Sequence, residues 1–138
     1  MKEIDNYLAT SFNKILMLDS DVVIAYLKGD SNAVAFFDEY ILSGVVTPML
    51  SAISVSELFM GARDKREESS IELWFNSLFD IVPVNAAVSK EAGRIRRERR
   101  VNMGDAIIAA TSSAEKVPLV TLNQLAYKGL NIKTYRPY

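Results

Sequence analysis

Most of the 17 acidic side chains sit in polar surroundings where solvation accounts for them, but three do not. Asp19 follows Ile15-Leu16-Met17-Leu18 and precedes Val22-Val23-Ile24, Glu57 lies within Ile53-Ser54-Val55-Ser56-Glu57-Leu58-Phe59-Met60, and Asp105 opens Asp105-Ala106-Ile107-Ile108-Ala109-Ala110. Each stands where a strand or loop feeds a helix that must be largely buried. Singly, each has an ordinary reading: Asp19 or Ser20 as a helix N-cap, Ser54 with Glu57 as an S-x-x-E capping box, Asp105 as an N-cap or first-turn acid. Together they would bring three carboxylates and three positive helix ends to one rim. Such anions repel by roughly 4 kcal/mol per pair at about 4 Å and an effective dielectric of about 20, a penalty that a divalent cation removes. Mg²⁺ suits the place because it takes one or two carboxylates and keeps several waters. An ion so held polarises a phosphoryl oxygen, orients a phosphodiester and lowers the pKa of a bound water. The reading requires that oxygens from positions 19, 57 and 105 meet closely enough to share one ion.

The missing residue types narrow the field. With no histidine and no cysteine, disulfides, Cys/His zinc sites, serine–histidine and cysteine–histidine nucleophiles and histidine acid–base catalysis are excluded. The chain has no GxxxxGKS/T or GxGxxG loop, so the usual nucleotide cradles are missing. Chemistry is left to carboxylates, hydroxyls, Lys and Arg, with a hard, oxygen-held metal if one takes part. The length of 138 residues reads as one domain, 1–138, that folds without staples. A hydrophobic share of 49% and a charged share of 24% exclude a disordered chain. The apolar runs are too short for a membrane span, and MKEIDNYLATSFNK lacks the apolar centre of a signal peptide. A cytoplasmic protein without membrane contact is expected.

To position the three acids, short β-rich runs at 14–18, 45–47, 50–53, 81–84, 119–121 and 132–134 alternate with helical spacing at 22–28, 32–42, 55–62, 69–78, 86–100 and 105–116. Such alternation implies βαβ crossovers, a mostly parallel sheet covered on both faces, and a ligand crevice outside the carboxyl ends of its strands. Residues 1–13 precede the first strand as an extra amphipathic turn or helix.

Leu18-Asp19-Ser20-Asp21-Val22-Val23-Ile24-Ala25-Tyr26-Leu27 resembles the opening motif of PIN-domain ribonucleases, more narrowly of the VapC-type toxins of type II toxin–antitoxin pairs. Ile53-Ser54-Val55-Ser56-Glu57-Leu58 with Gly61-Ala62 resembles their second motif, Gly104-Asp105-Ala106-Ile107-Ile108-Ala109-Ala110-Thr111 the third, and Leu119-Val120-Thr121-Leu122-Asn123 the last core strand and its exit. The resemblance covers about residues 14–135. It implies an α/β, PIN-like fold with a parallel sheet of about five strands and helices on both faces. It also implies an Mg²⁺- or Mn²⁺-dependent endoribonuclease acting on cellular RNA, a cognate antitoxin that blocks the pocket, and commonly a homodimer. Asp19 and Asp105 carry over as metal ligands, and Glu57 as the acid that orients metal or water. The family often has a fourth acid after the last core strand; here Asn123 fits one allowed choice, while Ala126 offers no ligand. Asp21 shares a face with Asp19 only while the chain stays extended. Ser20 and Thr111 are candidates to hydrogen-bond the carboxylates, against a plain capping and back-bonding role.

Arg94-Ile95-Arg96-Arg97-Glu98-Arg99-Arg100 holds five of the eight arginines in a chain of net charge −1. Arg96, Arg97 and Arg100 are candidates to grip RNA phosphates beside the acidic pocket, the alternative being a solvated face or arginines paired to a partner's acids. Tyr26, Phe36, Phe37, Phe59, Trp74 and Phe79 read as packing. Two rivals remain. Asp19-Ser20-Asp21-Val22 also fits a haloacid-dehalogenase-type phosphohydrolase, with Asp19 as nucleophile and Asp21 as acid/base. A catalytically inactive RNA- or protein-binding module is the other.

Overall fold

The apolar run after Lys14 forms β1 (Ile15–Leu18) at the middle of the sheet; the computed structural model describes residues 2–138. On one side β1 pairs with β2 (Thr47–Ser51), which pairs with β3 (Asp80–Val82). On the other it pairs with β4 (Leu119–Val120), which pairs with β5 (Thr134–Tyr135), and every pair is parallel. The order β3-β2-β1-β4-β5 reverses its winding between β1 and β4, so the crevice opens where Asp19 and Thr121 leave those strands.

Helices α1 (Glu3–Thr10), α2 (Ser20–Leu27), α3 (Ser31–Phe36), α4 (Ala52–Met60), α5 (Lys65–Leu78), α6 (Ala86–Glu98) and α7 (Met103–Glu115) cover the sheet. Successive β1 side chains enter opposite cores, as the two-residue period of a strand demands. Leu16 and Leu18 pack with Val22, Val23, Phe36, Phe37 and Leu50, and Met17 with Ile108, Ala109, Leu119 and Tyr127. This two-sided burial is why the run is continuously apolar. Small side chains at Ala92, Ala106 and Ala110, with Val88, bring α6 against α7.

The runs at 45–47 and 50–53 prove to be one strand. Pro48, which falls between the two runs, is tolerated because Thr47 donates to the Lys14 carbonyl on the β1 side. Pro48 then faces β3, where pairing starts only at Met49. Ile53 belongs to α4: the Ser51 hydroxyl accepts from its amide at 3.3 Å and starts the helix early. The Ser54–Glu57 capping box does not form, since Ser54 is already inside α4 with its hydroxyl buried and unpaired. The helix expected at 32–42 widens after Phe36 into a π-helical turn (Phe37–Leu42). Helix α7 starts two residues before Asp105 because Asn102 caps it. The stretch 1–13 contains α1, whose Ile4 and Leu8 are buried in the main core.

Candidate active site

Asp19 ends β1 and occupies the N-cap position of α2, yet its side chain makes no cap bond. It is turned to the neighbouring strand and is 5% exposed. Its Oδ2 accepts from the Thr121 hydroxyl at 2.9 Å and from the Tyr127 hydroxyl at 2.7 Å. Ser20, one residue on, donates to Glu57 Oε2 at 2.8 Å and lies 3.5 Å from Asp19 Oδ1. Glu57 reaches the site from the middle of α4, and its Oε1 would lie 3.7 Å from a Cβ placed on Gly104. The start of α7 thus comes close to Glu57 at a residue with no side chain. Asp105 follows in the first turn of α7. Its amide donates to Asn102 Oδ1 at 2.8 Å, Asn102 Nδ2 donates back to Asp105 Oδ2 at 3.1 Å, and Tyr127 lies 3.3 Å from Asp105 Oδ1.

Acids far apart in sequence are therefore joined through shared hydroxyls. Among the described residues, no three acids stand close enough to close on one ion directly. Asp19, Glu57 and Asp105 are linked through Ser20 and Tyr127, but they do not meet at the single shared point required above. No Lys or Arg among the described residues pairs with these acids: the ion pairs are Lys2–Glu39, Arg63–Glu67 and Arg94–Glu91. Burial, with added repulsion from Asp19, raises the pKa of Asp105. Burial also raises that of Glu57, partly opposed by the Ser20 hydrogen bond and reinforced by Asp19 and Asp105. Burial and the surrounding carboxylates push the Tyr127 phenol far above its usual value, so it stays a donor.

Asp21 joins the same network although helix α2 has begun. Its Oδ2 accepts from the Leu122 amide at 3.2 Å and lies 3.3 Å from the Thr121 hydroxyl, while Oδ1 is buried without a partner. Asn123 is exposed and takes part through its backbone, donating to Thr121 Oγ1 at 3.0 Å. Thr111 does not touch the carboxylates: its hydroxyl donates to the Ile107 carbonyl at 2.7 Å and lies 3.3 Å from Ser51 Oγ. This is the back-bonding alternative. Arg96, Arg97 and Arg100 are all exposed, and Arg96 donates to the Val101 carbonyl at 2.7 Å. Arg96, Arg99 and Arg100 line a concavity of about 380 Å³ that ends at Asn102, the residue holding Asp105. Sequence reasoning missed Thr121, Asn102 and Tyr127 as parts of the site. Thr121 had a usable signal, since it leaves β4 beside Asp19.

Comparison with known proteins gives the chain relatives. The family model described as PIN domain matches residues 16–128. Ribonuclease VapC10 of Mycobacterium tuberculosis (strain ATCC 25618 / H37Rv) is 33% identical over 116 residues, spanning 79% of this chain and 83% of the relative. A toxin–antitoxin complex from Klebsiella pneumoniae aligns with a TM-score of 0.75 at 21% identity, covering 89% of this chain and 98% of that one. VapBC2 from Rickettsia felis, solved bound to a promoter DNA fragment, aligns with a TM-score of 0.72 at 24% identity over 88% and 98%.

Proposed function

The chain belongs to the PIN-domain family, in its VapC-type branch, and from that premise we propose that it is a divalent-metal-dependent endoribonuclease, the toxin of a toxin–antitoxin pair restrained by a cognate antitoxin. The observation that carries the reading is the hydrogen-bonded convergence of Asp19, Glu57 and Asp105 without a neutralising base among the described residues. An all-oxygen, anionic donor set fits a hard cation such as Mg²⁺ or Mn²⁺. Because Mg²⁺ needs only one or two protein carboxylates, Asp19 and Asp105 would hold it, with Glu57 beside them. Bound there, the cation supplies charge neutralisation, Lewis acidity and a water of lowered pKa.

The side chains supply the rest. Glu57, with its pKa raised, is a better proton acceptor than a solvated carboxylate and would take a proton from the attacking water. Arg96, Arg97 and Arg100 hold phosphates flanking the scissile one, where guanidinium forks match phosphate geometry. The family resemblance adds a cytoplasmic setting and a homodimer, the latter tested by sedimentation of the purified protein. The phosphohydrolase alternative loses its footing with the family assignment, and Asp21→Ala separates the two: it abolishes a dehalogenase-type activity but leaves a nuclease partly active.

The purified protein is expected to cleave RNA with Mg²⁺, to stop in EDTA, and to lose cleavage in Asp19→Ala and Asp105→Ala. Co-expression should arrest growth, with relief by Asp105→Ala or by the neighbouring open reading frame. Cleavage that persists in Asp105→Ala overturns the reading; RNA binding without any cleavage identifies an inactive module.

A further inference from the structure

Resting on the ribonuclease reading above, we propose that the Tyr127 hydroxyl is the positioning group of the acidic pocket, presetting Asp19 and Asp105 as a pair for the cation. The two acids come from unrelated elements, a strand end and a helix start. The hydroxyl lies 2.7 Å from Asp19 Oδ2 and 3.3 Å from Asp105 Oδ1. Among the described residues, Tyr127 is the side chain whose hydrogen bonds reach both.

The ring cannot drift away from this position. It is 2% exposed and packed with Met17, Ile108, Ala109 and Leu119. The 3₁₀ turn that carries it, Gln124–Tyr127, is tied to β5 by Gln124 Nε2, which donates to the Thr134 carbonyl at 3.1 Å and lies 3.2 Å from its hydroxyl. Apolar packing thus delivers one polar atom to the place where two anions face each other.

A hydroxyl has one proton. At the shorter distance Asp19 accepts the hydrogen bond, while Asn102 Nδ2 steers Asp105 through the other oxygen of that carboxylate. Each acid is oriented by a neutral donor, which orders the anions without adding to their charge. An acid at the adjacent Ala126 would add charge instead. Outer hydrogen bonds of this kind change metal affinity by about 10–100-fold.

The test compares wild type, Tyr127→Phe and Asp19→Asn in a titration with Mn²⁺, following the free ion by electron paramagnetic resonance at fixed neutral pH. Phenylalanine keeps the packed ring and deletes only the hydroxyl. Tyr127→Phe should bind Mn²⁺ about 10-fold more weakly than wild type, should unfold as cooperatively in EDTA, and should recover cleavage at saturating Mn²⁺ with an unchanged KM for RNA. Equal or tighter Mn²⁺ binding by Tyr127→Phe overturns the inference while leaving the metal site standing. Wild type that binds no better than Asp19→Asn overturns both. Should Tyr127→Phe fail to unfold cooperatively, Tyr127→Met, which fills the packed space without a hydroxyl, takes its place: weaker Mn²⁺ binding in that variant supports the inference, and unchanged binding overturns it.

Discussion

Burial, reinforced by the charge of Asp19, lifts the Asp21 carboxyl from 3.8 to about 7, against hydrogen bonds from Leu122, Val22 and Thr121 that favour its ionised form. The folded protein therefore binds a proton that the unfolded chain has released across that window. Stability from this group is fully present below 3.8 and is lost as pH rises through about 7. In metal-free protein, Asp21→Asn should flatten the fall in melting temperature across this window and leave the variant more stable than wild type above it. Thermal unfolding in EDTA over a pH series checks this, and a wild-type curve with no such fall contradicts it. Asp21 also shows where sequence reading stops at this scale. Asp19, Glu57 and Asp105 were legible because a charge inside an apolar run is conspicuous. The reach of Asp21 was not, because it depends on how the first turn of α2 meets the exit of β4 at Leu122. Tyr127 was illegible for another reason: a buried aromatic reads as packing, its ring does pack, and only its hydroxyl turns toward the acids.

Helix α1 lies before the residues that the family model matches, 16–128, yet it is built into the core. Ile4 is fully buried, Leu8 nearly so, and Tyr7 donates to the Ile15 carbonyl at 3.3 Å, fastening the helix to the start of β1. Tyr40 of the π-helical turn donates to Asp5, closing the other side. Ile4→Ala should cost about 2–5 kcal/mol, the range for truncating a fully buried isoleucine. Denaturant unfolding measures it, and a loss below about 1 kcal/mol would mean that α1 only rests on the surface. The amphipathic character of 1–13 was visible in the sequence, but its docking was not, because Ile4 and Leu8 meet residues far along the chain. The strands were legible as apolar runs. Their ends were not, because caps such as Ser51 and Asn102 move a helix start by two or three residues with no change in hydrophobic pattern.

Across the whole molecule 16 basic and 17 acidic residues nearly cancel, but they are not mixed. Arginines cluster at the end of α6, while uncompensated carboxylates gather at the crevice between β1 and β4. Each phosphate neutralised on single-stranded RNA contributes about 0.7 to the salt slope of binding. Arg100→Ala should lower that slope by about this amount in fluorescence-anisotropy titrations, without the loss of stability that Arg96→Ala carries through its bond to the Val101 carbonyl. The acidic side of the division makes the opposite demand on ions. Folding collects Asp19, Glu57 and Asp105 from separate parts of the chain, so a cation taken up by the proposed site would bind the folded protein and not the unfolded chain. A ligand of this kind stabilises by RT ln(1 + [L]/Kd), about 2.7 kcal/mol at a hundredfold excess over Kd. Added Mg²⁺ should therefore raise the melting temperature of wild type progressively, whereas NaCl at equal ionic strength, which only screens, should do much less. In Asp19→Asn and Asp105→Asn the repulsion is already smaller. Both variants should be at least as stable as wild type without metal and should gain little when Mg²⁺ is added. A wild-type melting temperature indifferent to Mg²⁺ would show that the hydroxyls of Thr121, Tyr127 and Ser20 satisfy these carboxylates by themselves.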